Sequence, residues 1–238
     1  MPPASDLSVS ALLQKILDRY LDAVAGVGGG FNRDHPVYQL FLEVEDALRE
    51  MSPVQSREHL RVQASPGRGR WSRVPWVALM DKRETTSTQR GVYGVFLFRQ
   101  DMSGVYLTFN QGVTDLIDLH GTQEARAILE RRARALEGLF RDDYWHQRGF
   151  ASGSTIDLVA DPGLGQNYEY STATCKLYEA GSVPPDDEIE TDLEGLLTAY
   201  DRYMISDLRR EFRRADQQEP EPPAPPPPPD DPPEEDEI

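Results

Sequence analysis

Apolar residues recur along the chain at two spacings, and the change from one to the other marks out the elements. Near the start, Leu12, Leu13, Ile16, Leu17, Tyr20, Leu21 and Val24 return every three to four positions. That spacing predicts a helix over residues 8–25, with Ser8 or Ser10 as its cap and Gly28-Gly29-Gly30 as its terminator. Pro36 suits the first turn of a second helix, whose stripe of Tyr38, Phe41, Val44 and Leu48 runs up to Met51. The pattern then changes, and 60–63, 74–80, 92–99 and 105–110 read as strands bounded by Gly, Pro and Ser. Val92, Val95 and Leu97, with Tyr93, Phe96 and Phe98 between them, make a run that is apolar on both faces, as expected of a strand covered on both sides. The link Gln100-Asp101-Met102-Ser103-Gly104 suits an antiparallel hairpin with a bulged turn.

After Gln111-Gly112 and an irregular stretch, helical spacing returns over 122–140, with Ala125, Ile128, Leu129, Ala133, Leu136 and Leu139 on one side. Residues 149–178 read as loops and strands, including strands at 155–158 and 170–177. Pro184-Pro185 and Asp186-Asp187-Glu188 open a last helix whose stripe runs from Ile189 to Leu208, and Arg209, Arg210, Arg213 and Arg214 at its end suit the helix dipole. From Asp216 the composition changes: ten of the 19 prolines lie there, with no apolar residue beyond Ala224 and Ile238. Such a segment buries too little to fold, and is expected to be a disordered acidic tail or a linker. The fold class is therefore α+β, a central, mostly antiparallel sheet flanked by helices. The expected divisions are an N-terminal helix and Gly-rich linker (1–35), a single domain (36–215) and the acidic proline-rich tail (216–238).

Composition adds limits. With 238 residues and 38% hydrophobic content, the chain has enough for one globular core and a tail. No apolar run approaches the roughly 18 residues of a membrane span, and the N-terminus lacks a signal-peptide core, so a cytoplasmic protein with no membrane partner is expected. The formal charge of −16 argues against nucleic acid, yet nine acids and no bases fall between Asp216 and Ile238, leaving −7 on the rest. Between Arg57 and Arg99 nine bases face only Glu58, Asp81 and Glu84. That segment suits a phosphate backbone, and equally a solvated loop with ordinary surface arginines.

Catalytic chemistry is hard to assemble. His35, His59, His120 and His146 are scattered with no neighbouring ligand set, and the single Cys175 reads as a small apolar residue in a strand. There is no phosphate-binding GxxxxGK[ST], no GxSxG and no acidic pair followed by a nuclease lysine; Gly26 to Gly30 lacks the Lys and Ser/Thr that a phosphate cradle needs. A protein that is not an enzyme, with no cofactor and no metal, is expected.

Several runs together carry a resemblance: Leu60-Arg61-Val62, Gly67-Arg68-Gly69, Val74-Pro75-Trp76-Val77-Ala78, Gly91-Val92-Tyr93-Gly94, Val105-Tyr106-Leu107, Gly165-Gln166-Asn167-Tyr168 and Lys176-Leu177-Tyr178. Over residues 36–205 the chain resembles the N-terminal DNA-binding domain of McrB-type modification-dependent restriction proteins. The resemblance implies recognition of 5-methylcytosine in duplex DNA by turning the base out into an aromatic pocket. Cleavage is left to a GTPase or ATPase motor and a separate nuclease subunit. By position, Trp76, Tyr93 and Leu97 would line the pocket, and the loop from Gly67 to Arg70 would approach the DNA. Arg68, Arg70, Arg73, Arg90 and Lys82 are the expected backbone contacts, with Ser87, Thr88 and Gln89 as sources of bonds to the base edge or as plain loop polarity. Arg68 departs from the pattern, since another branch of the family carries an aromatic in that glycine loop. A second reading, a protein-interaction adaptor that uses the acidic tail and helices without binding DNA, stays open.

Overall fold

Ser8 stops the chain from entering helix one residue early: its hydroxyl accepts a hydrogen bond from Ala11 N at 3.0 Å and caps α1 (Val9–Val24). Pro36 opens α2 (Pro36–Glu50), where His35 Nδ1 accepts from Val37 N at 3.1 Å. The two helices pack on each other and bury most of the stripes read from their spacing, but Leu21 and Val24 at the end of α1 are 49% and 50% exposed. A one-turn α3 (Ser52–Gln55) leads to β1 (Leu60–Gly67), β2 (Trp71–Asp81), β3 (Val92–Phe98) and β4 (Gly104–Gln111). There follow α4 (Thr114–His120), α5 (Thr122–Glu137), a 3-10 turn (Gly138–Phe140), α6 (Asp143–Gln147), β5 (Ala151–Ser152) and a second 3-10 turn (Gly153–Thr155). The remainder is α7 (Leu164–Ser171), β6 (Thr174–Glu179), α8 (Asp186–Ile205) and α9 (Asp207–Gln217). This computed structural model describes residues 8–217. The sheet runs β1-β2-β3-β4-β6-β5 with every neighbouring pair antiparallel, which gives an α+β domain.

Because side chains alternate along a strand, the sheet sorts the apolar residues of β3 onto two cores. Val92, Phe96 and Phe98 join α1, α2 and α8 on one face. Gly94 lies there too; a Cβ at Gly94 would meet Leu196 Cδ2 at 2.7 Å, so glycine lets α8 lie directly on the strand. Tyr93, Val95 and Leu97 join Val74, Ala78 and Met80 on the other face, under Ile156, Leu158 and Tyr168. The strand is buried along its whole length, as its two-faced apolar run predicts. Within the first core, Asp192 of α8 accepts from Lys176 Nζ at 2.6 Å and Tyr178 Oη at 2.8 Å, which ties the last long helix to β6.

Several expectations change. The strand at 60–63 continues through Pro66 to Gly67, because an edge strand tolerates proline and the register simply shifts there. Residues 113–120, expected to be irregular, hold α4. The strand expected at 155–158 is a 3-10 turn followed by extended chain without a ladder, and 170–177 divides into the end of α7 and β6. The final helix breaks at Ser206, whose extended backbone (φ −77°, ψ 159°) turns α9 back along the domain. Helix α9 also takes in Asp216 and Gln217; the rest of the expected tail, 218–238, lies outside the described residues, as do residues 1–7. In the hairpin after β3 it is Met102, anchored in the core, that adopts positive φ (56°).

Candidate nucleic-acid interface

The tip of the β1–β2 hairpin is shaped by glycine. Gly67 has φ +140°, and a Cβ on it would fall 2.0 Å from Arg70 O, so no other residue permits this turn. Gly69, at φ +72°, completes it and leaves Arg68 and Arg70 exposed on either side. The base of the hairpin is held from below. Tyr20 Oη of α1 meets Pro66 O at 2.8 Å and Ser72 O at 2.7 Å, and Trp71 packs edge-on to Tyr20, Phe31 and His35. The first helix and the glycine-rich linker thus brace the basic loop.

Beside the loop lies an open groove of about 580 Å³, a size that suits a bound organic group. Arg68, Arg70 and Arg73 rim it, Trp76 forms part of its wall, and Gln100, Asp161 and Tyr168 face them. Arg73 pairs with Asp161 at 2.9 Å, while Arg68 and Arg70 have no carboxylate partner among the described residues.

Trp76, Tyr93 and Leu97 come together on one face of the sheet, where Trp76 stands opposite Leu97 in the β2–β3 register. They differ in access. Trp76 is half-buried, whereas Tyr93 is 4% and Leu97 2% exposed. Tyr93 Oη donates to Thr88 O at 2.8 Å, and burial raises its pKa well above that of an ordinary phenol. Between these residues the space is only about 10 Å³, about enough for one water. Trp76 and Tyr168 border both the groove and this small void. The site therefore consists of an open part and a closed part divided by two rings.

Tyr168 was not singled out from the sequence. It sits on α7 because Gly165 lets that helix approach β2: a Cβ there would fall 2.9 Å from Val74 Cγ2. Asn110 of β4 fixes the end of the helix by donating to Thr172 Oγ1 at 3.0 Å and accepting from Ser171 Oγ. Burial pushes the Tyr168 phenol up to about 12. Asn110 also borders the closed void. The available signal was the Gly165-Gln166-Asn167-Tyr168 run, which gives no hint of which ring it will oppose.

The five expected backbone cations divide into two groups. Arg68, Arg70 and Arg73 share the groove. Lys82, just after β2, and Arg90, just before β3, lie at the end of the sheet away from the groove, with Arg90 3.6 Å from Asp115; Lys82 is nine positions along the strand from Arg73, about 30 Å. Of the other bases of the stretch, three are neutralised locally, Arg57 by Glu194 and Asp201, Arg83 by Asp81 and Arg99 by Asp157, while Arg61 is exposed with no ion pair among the described residues. Of the expected base-edge residues, Thr88 directs its carbonyl to Tyr93, and the Ser87 carbonyl accepts from Thr85 Oγ1. Cys175 is buried in β6, and burial pushes its thiol up to about 11. Among the described residues, no group of three His, Cys, Asp or Glu side chains is placed to hold a metal ion. No helix among them is long and apolar enough to cross a membrane.

No curated protein sequence matches this chain. The family described as MrcB-like, N-terminal domain, matches residues 16–205, from the second half of α1 to the end of α8. With most of its length matched, and with a cationic groove and aromatic wall inside the matched region, the chain belongs to the family of MrcB-like N-terminal domains, DNA-binding modules of restriction systems.

Proposed function

We propose that this domain reads a modified base of the 5-methylcytosine type in duplex DNA by rotating it out of the helix. It would act as the specificity module of a modification-dependent restriction or anti-phage defence system. The observation that carries this reading is the half-buried Trp76 in a groove of about 580 Å³ rimmed by Arg68, Arg70 and Arg73. The cations hold the flanking phosphates, and the indole offers a face for one extruded base. Extrusion costs a few kcal/mol, and stacking on an aromatic returns about 1–3 kcal/mol per base. The two nearly balance. A methyl group adds only about 0.8 kcal/mol on burial, so discrimination requires hydrogen bonds to the base edge as well. Tyr168, Asn110 and the Tyr93–Thr88 pair supply polar groups behind the indole. With Arg68 in place of an aromatic at the loop tip, the rings available to a base beside Trp76 are Tyr168 and Trp71, which line the same groove. The reading gives this chain no catalytic step and assigns cleavage to a GTPase or ATPase motor and a nuclease subunit.

Electrophoretic shift with modified and unmodified duplexes at two salt concentrations tests it. Three phosphate contacts give a slope of about −2.7 in log K against log salt, or about a 40-fold loss of affinity from 50 to 200 mM. A preference for one modified duplex is expected on top of that slope. Equal binding of all duplexes would refute base reading, and affinity for none would favour the adaptor.

A further inference from the structure

We propose that the acidic run 230–237 of this chain's own C-terminal segment seats in the cationic groove, so that a duplex has to displace it. The inference goes beyond base reading and rests on that reading only in placing DNA in the same groove. The run lies outside the described residues; its chemistry is that of its sequence, Asp230-Asp231-Pro232-Pro233-Glu234-Glu235-Asp236-Glu237, six acids around a proline pair with no base.

The groove offers what such a run needs. Arg68 and Arg70 are exposed with no carboxylate partner among the described residues, and Arg73 shares Asp161 while remaining 71% exposed. Guanidinium groups take carboxylates in bidentate pairs, and aromatic-lined grooves take proline rings. Trp71 and Trp76 line the same space. Pro232 and Pro233 packed on an indole bring the flanking acids to the arginines on the rim. Four cations nearer the start of the segment are already taken: Arg209 and Arg213 by Glu84, Arg210 by Asp207 and Arg132 by Asp216.

The chain between is long enough. Asp216 pairs with Arg132 and lines a pocket with Arg90 and Val92 at the start of β3. Trp76 stands opposite Leu97, five positions along that strand from Val92, and Arg73 is three positions further along β2, so the groove lies about 17–27 Å away along the sheet. Crossing one layer adds about 10 Å. Thirteen positions separate Gln217 from Asp230, a reach of about 40 Å at about 3.1 Å per residue of proline-rich chain. A tether of that length keeps the run near the groove at an effective concentration on the order of millimolar, enough for weak contacts to compete with DNA.

The test neutralises the run in the full chain: Asp230→Asn, Asp231→Asn, Glu234→Gln, Glu235→Gln, Asp236→Asn and Glu237→Gln together. At about 50 mM salt this chain should bind modified and unmodified duplexes roughly tenfold tighter than the unaltered chain, with the preference between them unchanged and a salt slope closer to that of three free phosphate contacts. Removing six negative charges also lowers long-range repulsion, and a double-mutant cycle separates the two causes. In the Arg68→Ala/Arg70→Ala background the same neutralisation should gain less than about twofold, because there is no seat to vacate. Equal gains in both backgrounds assign the effect to repulsion and overturn the seat, as does no gain in either; base reading is then still judged by the preference of the neutralised chain. If neither chain binds any duplex, the DNA reading fails, and a peptide of residues 228–237 decides the seat. Saturable quenching of indole fluorescence in the neutralised chain, lost with Arg68→Ala/Arg70→Ala, supports it, and no quenching overturns it.

Discussion

Tyr93 and Trp76 point to the same side of the sheet, yet burial separates what a substitution at each will do. Tyr93→Ala removes a sealed ring and should cost about 3–5 kcal/mol of stability, while Tyr93→Phe forfeits one hydrogen bond to Thr88 O, about 1 kcal/mol. Trp76→Ala removes a ring that is only partly buried, so it should cost less stability than Tyr93→Ala and lose the stacking term, about 1–3 kcal/mol, or roughly 5- to 150-fold in affinity for the modified duplex. Urea midpoints and duplex titrations check the contrast. If Trp76→Ala destabilises more than Tyr93→Ala, the indole is structural and the pocket reading is wrong. The arginines belong to a different readout. Arg68→Ala and Arg70→Ala should each flatten the salt slope by about 0.9 and weaken all duplexes alike; an unchanged slope in both removes the loop from the contact surface.

At the scale of elements, α9 follows the family match along the chain, and it is docked by the buried Phe212 and by charge. Glu84, 4% exposed in the link between β2 and β3, accepts from Arg209 Nε at 2.6 Å and Tyr203 Oη at 3.1 Å, with Arg213 at 3.6 Å. Arg209 and Arg213 also donate to Arg83 O, and Arg132 meets Asp216 at 2.6 Å while lying over the Phe212 ring. Glu84→Ala should cost about 2–3 kcal/mol, less than a fully buried pair because Arg209 keeps some water, and it should expose the α9 arginines to trypsin. An unchanged urea midpoint together with unchanged tryptic resistance would show that α9 docks by other contacts. The same link carries Thr88, the partner of Tyr93, so the docking of α9 bears on the back wall of the candidate pocket.

For the molecule as a whole, buried phenols set the alkaline limit. Burial raises the pKa of Tyr20, Tyr93, Tyr168, Tyr178, Tyr200 and Tyr203 above the usual value of 10.0. Each stays protonated in the folded chain at pH values where the unfolded chain loses its proton. Their stabilisation is thus fully present below pH 10 and declines above it, by about 1.4 kcal/mol per pH unit for each group. Alkaline titration should show these phenols ionising in one cooperative step that coincides with loss of ellipticity. Phenols that titrate singly near pH 10 with the fold intact would contradict the burial described.

Several elements were legible because an amphipathic segment has one way to hide its apolar side. The stripes of α1, α2 and α5 and the two-faced run of β3 carry their own period, and the Ser8 cap and the Pro36 start are local chemistry. Helix α7 was not legible: it has a glycine at its entry and another inside, and it exists where Gly165 can press against Val74 of a distant strand. The break at Ser206 is likewise set by what α9 meets, the β2–β3 link at Glu84 and the core around Tyr203. The sequence by itself determined the α+β class, the central antiparallel strands, the basic glycine turn and the family pattern around Trp76. The tertiary structure alone decided that Arg68, Arg70 and Arg73 share a groove while Lys82 and Arg90 do not, that Tyr168 stands beside Trp76, and that Tyr93 is sealed. Spacing along a chain fixes which face a residue takes; strand register and helix packing fix which residues from elsewhere meet it there.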